Sequence, residues 1–159
     1  MRYFELFNIP VSLQVDQKLL SARYFTLQRQ YHPDLFARSA PEEQEAALEL
    51  TSLINQAFKT LKSPDDTIRY VLKEKGLLQE EEKYQLSPDF LMEMMELNEQ
   101  LEENEDVTAA TDRIQKEIYE PVKTIIADYQ ESVTTEEELL QVKEYYFRKK
   151  YLDRIGKQH

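Results

Sequence analysis

The reading of this chain turns on Arg29-Gln30-Tyr31-His32-Pro33-Asp34. A proline disfavours the α conformation of the residue before it, so Pro33 predicts that the helix leading into the stretch ends at His32. The preceding segment fits such a helix. Asp16 is a good N-cap, and Leu20, Tyr24, Leu27 and Tyr31 recur at helical spacing along one face. Lys18, Ala22, Phe25 and Arg29 fall on the opposite face. His32 and Asp34 are therefore expected on a loop between two helices, and contact sites concentrate in loops held by rigid elements.

Composition narrows the options. The 159 residues hold one domain or two small ones, and 41% hydrophobic content supports a real core. A formal net charge of −11 argues against nucleic acid, whose phosphates call for clustered Lys and Arg. With no cysteine, disulfides, thiol nucleophiles and zinc thiolate sites are excluded. His32 and His159 are the only histidines, too few for a multi-histidine metal site. Gly76 and Gly156 are the only glycines, so neither a phosphate-cradling loop nor a dinucleotide fingerprint can be built. No cofactor is expected. The chain opens on Met1-Arg2-Tyr3-Phe4 with no leader pattern and no apolar run of spanning length, so a cytoplasmic protein without a membrane segment is expected.

Working outward from the tripeptide, Tyr3, Phe4, Leu6 and Phe7 fit a short apolar first helix ending near Asn8 and Pro10. Residues 32–40 read as a loop. Pro41, with Glu42, Glu43 and Glu45 near the positive end, opens a third helix. Its apolar stripe is Ala47, Leu50, Ile54, Ala57, Phe58 and Leu61, and it should run antiparallel to the second. Ser63-Pro64-Asp65-Asp66 starts a fourth helix carrying Ile68, Val71 and Leu72, which Gly76 is placed to terminate. Residues 76–86 read as a linker, with Leu77 and Leu78 packed and the acidic run after them solvated. Ser87-Pro88-Asp89 starts a helix over about 88–104. A further helix is expected from Asp106 to Gln130, with Ile114, Ile118, Val122, Ile125 and Tyr129 on one face. Pro121 should kink or break it between about 117 and 121. Thr135-Glu136-Glu137-Glu138 is a capping box for a last helix to about Ile155, with Gly156 after it. Short connections make the second half an antiparallel three-helix bundle.

Three readings of the tripeptide compete. It can be a plain helix stop with a locally bonded aspartate, a His–Asp catalytic dyad, or a recognition loop for another protein. The helix after Ser87 carries a second candidate surface. Phe90, Met94, Leu97 and Leu101 cluster in a narrow arc that should face the core. Leu91, Met92 and Met95 then lie with Glu96, Glu99 and Glu103 on the broad opposite side. Single exposed apolar residues are ordinary, but an apolar group with an acidic rim favours protein binding, and methionine adapts to a partner surface.

Residues 1–75 resemble a J-domain. The likeness rests on a short first helix, a second helix ending Gln30-Tyr31, then His32-Pro33-Asp34, and a third helix bearing Ile54-Asn55-Gln56-Ala57-Phe58-Lys59-Thr60-Leu61 followed by Ser63-Pro64. Phe90-Leu91-Met92-Glu93-Met94-Met95-Glu96-Leu97-Asn98, with Tyr3-Phe4-Glu5-Leu6-Phe7 and Leu27-Gln28-Arg29-Gln30-Tyr31, is similar to HscB-type co-chaperones over nearly the whole chain. That resemblance implies an all-α, L-shaped protein with a J-domain at 1–75, a linker at 76–86 and a C-terminal three-helix domain at 87–159. It implies a co-chaperone, not an enzyme. Its partners would be an ATP-hydrolysing DnaK/HscA-class chaperone and an IscU-type iron–sulphur cluster scaffold protein. Carried over by position, His32, Pro33 and Asp34 with the basic residues Lys18, Arg23 and Arg29 would meet the chaperone. Leu91, Met92, Met95, Glu96, Glu99, Glu103 and Tyr151 would meet the scaffold. Leu35 follows the tripeptide where many members have lysine, which lowers the electrostatic share of chaperone binding. Two other readings are a J-domain co-chaperone for a different client and a small hydrolase using His32 and Asp34.

Overall fold

Prolines and short polar caps set where the helices of this chain begin. The computed structural model describes residues 1–158, and among them there is no strand. His159 lies outside the described residues. The helices are α1 (Arg2–Leu6), α2 (Gln17–Tyr31), α3 (Pro41–Lys62), α4 (Pro64–Glu74), α5 (Pro88–Glu102), α6 (Thr108–Tyr119), α7 (Lys123–Ala127) and α8 (Glu136–Gln158). Two 3-10 turns, Pro33–Phe36 and Glu120–Val122, lie between them. The expected caps form. Asp16 accepts from the backbone N–H groups of Lys18 and Leu19, both at 3.1 Å. Ser63 accepts from Asp66 N–H and Ser87 from Phe90 N–H, each at 3.3 Å. At α8 the box is reciprocal: Glu138 N–H donates to Thr135 Oγ1 at 3.1 Å, and Thr135 N–H to Glu138 Oε1 at 3.0 Å.

The chain divides into two compact units, Met1–Glu74 and the residues from Lys75 onward. In the first, α1, α2, α4 and the Pro33–Phe36 turn all gather on α3, as the core residues Phe4, Phe7, Leu20, Ile54, Ala57, Leu61, Val71 and Leu72 require. Cross-links between α2 and α3 run in opposite directions along the two helices. Gln17 donates to the Leu61 carbonyl at 3.2 Å, Tyr24 to Asn55 Oδ1 at 2.7 Å, and Thr51 to the Tyr31 carbonyl at 2.8 Å. The pair is therefore antiparallel. Thr51 and Thr67 are the buried polar side chains, and both hydroxyls are satisfied: Thr67 donates to Ser63 O at 2.8 Å and Thr60 O at 3.2 Å. Gly76, at φ +74°, stands just past α4 in the left-handed conformation that suits a helix terminator.

In the second unit α8 packs against α5, α6, α7 and the Glu120–Val122 turn. Phe90, Met94, Leu97, Ile114, Ile118, Val122, Leu139, Val142 and Leu152 build its core. The helix over 106–130 breaks at Pro121 as expected, into α6 and α7, because Pro121 lacks an N–H and its ring crowds the carbonyl four residues back. Three findings differ from the sequence-based expectation. The shorter α7 then sets its own buried face, so Ile126 is buried and Ile125 only half-buried. The helix of α8 continues through Gly156 to Gln158, since a glycine costs only about 1 kcal/mol in a helix and does not by itself end one. Residues 76–86 are not a bare linker. Leu78 is buried as expected, but Tyr84 also stacks on Phe147 of α8 with ring centres 4.6 Å apart, and its hydroxyl donates to the Glu144 carboxylate. Glu82, expected in the solvated run, pairs with Lys143 at 2.7 Å, which holds its carboxyl below the usual range.

Removing the Tyr84 hydroxyl in Tyr84→Phe keeps the ring stack and should lower stability in urea unfolding by about 1–2 kcal/mol. Burial, then the Glu144 carboxylate, pushes the Tyr84 hydroxyl from 10.0 up to about 12. Its folded form thus favours the proton, so its contribution is full below pH 10 and is lost as pH rises towards 12. The gap between wild type and variant should close over that window; a gap that stays constant through it would contradict the bond. On α5, Met94 is fully buried while Met92 and Met95 are each 61% exposed. Met94→Ala should cost about 2–5 kcal/mol, and Met92→Ala or Met95→Ala under about 0.5 kcal/mol. Equal losses at the three positions would mean that α5 buries a different face.

Candidate functional site

Each unit carries one candidate surface. In the first, His32 has φ −59° and ψ 134°, the extended conformation that the following proline imposes, and α2 stops there. Its N–H still donates to the Gln28 carbonyl at 3.0 Å, and its carbonyl accepts from Leu35 N–H at 3.0 Å. The expected loop is thus partly ordered as the 3-10 turn Pro33–Phe36. The backbone on both sides is tied to α3. Thr51 holds the Tyr31 carbonyl, and Gln44 donates to the carbonyls of Ala37 and Ser39, both at 3.1 Å. Asn55 accepts from both Tyr24 and Gln28, at 2.7 and 2.9 Å, while Phe58 stacks on Tyr24 with ring centres 4.0 Å apart. The Asn55-Gln56-Ala57-Phe58 run therefore clamps the last two turns of α2 and so aims the tripeptide.

Of the tripeptide's side chains, those of His32 and Asp34 face solvent and Pro33 is half-buried. His32 is half-exposed and Asp34 almost fully exposed. Asp34 N–H donates to His32 Nδ1 at 3.2 Å. In the neutral imidazole that bond occupies the Nδ1 lone pair and puts the ring proton on Nε2. The Asp34 carboxylate, 3.6 Å from the same Nδ1, then faces an acceptor and not an N–H. A carboxylate that orients a catalytic base needs the opposite tautomer. The hydrolase reading loses its dyad on this geometry. Lys18, Arg23 and Arg29 are all exposed on α2. Between them sits Phe25, 60% exposed, and Leu35 beyond the tripeptide is equally open. Phe25 was legible as an outer-face residue, but its openness depends on nothing in the unit reaching that face.

The second surface lies on α5 and α8. Met92, Met95, Glu96, Glu99 and Glu103 are exposed; Leu91 and Tyr151 are half-buried. Leu91 therefore offers only part of its side chain. The Tyr151 ring meets Phe90 edge-on at 6.4 Å, and the Arg148 guanidinium lies over the Phe90 ring, 4.9 Å from its centre. Met95 and Tyr151 line one groove of about 280 Å³ with Asn98 and Arg154, floored by Met94 and Ile155. Met92 is not part of that groove. Sequence spacing on α5 alone did not show Asn98 and Arg154 as neighbours of this surface, because that needs the register of α8 against α5. Another cleft of the second unit, of about 460 Å³, lies between α6 and α8 beside Tyr119 and Tyr145. Among the described residues no cluster of His, Cys, Asp and Glu could hold a metal ion, and no helix is long and apolar enough to cross a membrane.

Comparison with known proteins covers both units. The family described as the HSCB C-terminal oligomerisation domain matches residues 86–158. A curated relative from Photobacterium profundum, named co-chaperone protein HscB homolog, is 35% identical over 141 residues, or 88% of this chain and 80% of the relative. One of the same name from Aliivibrio salmonicida is 33% identical across 99% of this chain and 94% of its own length. The crystal structure of the human co-chaperone protein HscB superposes with a TM-score of 0.82 at 29% identity, over 98% of this chain and 79% of that one. The chaperone HscB from Vibrio cholerae gives a TM-score of 0.69 at 28% identity, over 99% and 94% of the two chains. With the likeness running through the clamped tripeptide unit and the helical unit that follows, the chain belongs to the HscB family of co-chaperones and is not an enzyme.

Proposed function

We propose that this protein binds an iron–sulphur cluster scaffold protein of the IscU type through α5 and α8. It delivers that client to a DnaK/HscA-class chaperone, whose ATP hydrolysis the His32-Pro33-Asp34 loop stimulates. The exchange is assigned to the cytoplasm. The observation that carries the reading is the contrast at the tripeptide: its backbone is tied on both sides while the His32 and Asp34 side chains are left to solvent. A loop ordered in advance loses little entropy on docking. Lys18, Arg23 and Arg29 supply the charge for that contact, and Phe25 and Leu35 the apolar area. On the client side, Met92 and Met95 are apolar groups in water beside Glu96, Glu99 and Glu103. A protein partner would cover the former, and the acids would set on-rate and salt dependence.

Chaperone ATPase measured with and without scaffold separates the two surfaces. His32→Gln should abolish stimulation while scaffold binding stays intact. Met92→Ala/Met95→Ala should lose scaffold binding and the scaffold-dependent rise, yet keep the basal stimulation. Retention of full synergy by both variants would overturn both assignments. Stimulation of the chaperone without any binding of the scaffold would point instead to a different client.

A further inference from the structure

Glu96, Glu99 and Glu103 give the α5 side of this face a negative charge. The other side of Tyr151 has the opposite sign. A second groove, of about 300 Å³, runs between α8 and residues 82–86, and Lys83, Lys150 and Arg154 stand along it with Tyr151. All three cations are exposed, and among the described residues none has a carboxylate partner. Glu82 lines the same groove but is already paired with Lys143, and Asp153 is paired with Lys149 at 3.0 Å. Three unneutralised cations together are unusual on a chain of net charge −11. Tyr151 and Arg154 line both grooves, so the tyrosine forms the ridge between them and Arg154 reaches either side.

Resting on the reading that α5 and α8 hold the scaffold protein, we propose that this face is a two-signed receptor. Glu96, Glu99 and Glu103 form its acidic bank and Lys83, Lys150 and Arg154 its basic bank. The scaffold presents an apolar side chain to Met95 and Tyr151, with basic groups over α5 and at least one carboxylate over the basic bank. The charge pattern dictates this. A purely basic partner large enough to cover Met95 and Tyr151 would bring like charges against Arg154, which an interface penalises strongly. A two-signed face also fixes orientation, since docking turned end for end sets acid on acid and base on base. In this arrangement the basic bank determines specificity, and Met92 and Met95 supply the buried area.

The test is titration of the scaffold protein into full-length protein at about 50 mM salt, with thermal melts to show that each variant is folded. Lys150→Gln/Arg154→Gln should weaken binding about tenfold, and Lys150→Glu/Arg154→Glu more than that. Lys150→Arg/Arg154→Lys, which keeps both charges, should bind within about twofold of wild type. A partner with basic groups only would bind the neutralised variant more tightly, and unchanged or tighter binding overturns the proposal. Met95→Ala provides the separate control. If it weakens binding while the neutralised bank does not, the surface stands and only its two-signed character fails. If it binds as wild type does, the surface is misassigned and the proposal falls with it.

Discussion

Five of the six prolines, Pro33, Pro41, Pro64, Pro88 and Pro121, stand at the first or second position of a helical segment, and the architecture depends on that constraint. A proline there gives up an N–H that no helical carbonyl could have used, and its fixed φ is already helical. The same ring disfavours the helical conformation of the residue before it, and His32, Ala40, Ser63 and Ser87 are all extended. Each proline thus divides the chain at one place with no cost to the segment it opens. At Pro33 the division shapes the candidate loop: α2 ends at His32 while the His32 N–H keeps its bond to Gln28. Pro121 shows the limit of the device, since it falls where a helix was under way and leaves two shorter ones.

The two candidate surfaces are built on different physical principles. At the tripeptide, order comes from polar bonds to backbone carbonyls, and α3 supplies most of the donors. Asn55 accepts from two side chains of α2 because it lies at the crossing of the two helices. On α5, by contrast, position follows from burial of the opposite face: Phe90, Met94 and Leu97 anchor the helix, and the exposed residues go where the helical period sends them. The first surface depends on hydrogen-bond geometry, the second on packing.

That difference also explains what could be read in advance. Caps at Asp16, Ser63, Ser87 and Thr135 are local signals a few residues long, and each forms. The buried and exposed arcs of α5 follow from spacing within one helix. Features joining distant segments were not legible. The Tyr84 strap on Phe147 and Glu144 lies in a stretch whose composition looked like a solvated linker. Buried Thr51 is a polar residue whose partner is the Tyr31 carbonyl at the end of α2. Lys83 and Arg154 are far apart in sequence, and only the packing of residues 82–86 on α8 sets them along one groove.

The burial pattern of α5 also has a consequence for oxidative damage. Three methionines lie within four residues of one another, two open to water and one sealed beneath them. Oxidants reach exposed thioethers first, and the sulphoxide they form is polar and reversible by dedicated reductases. Oxygen added at Met92 and Met95 would turn the apolar part of this face hydrophilic while Met94, and with it the core, stayed reduced. The helix would keep its fold and lose its exposed apolar patch, and enzymatic reduction would restore it.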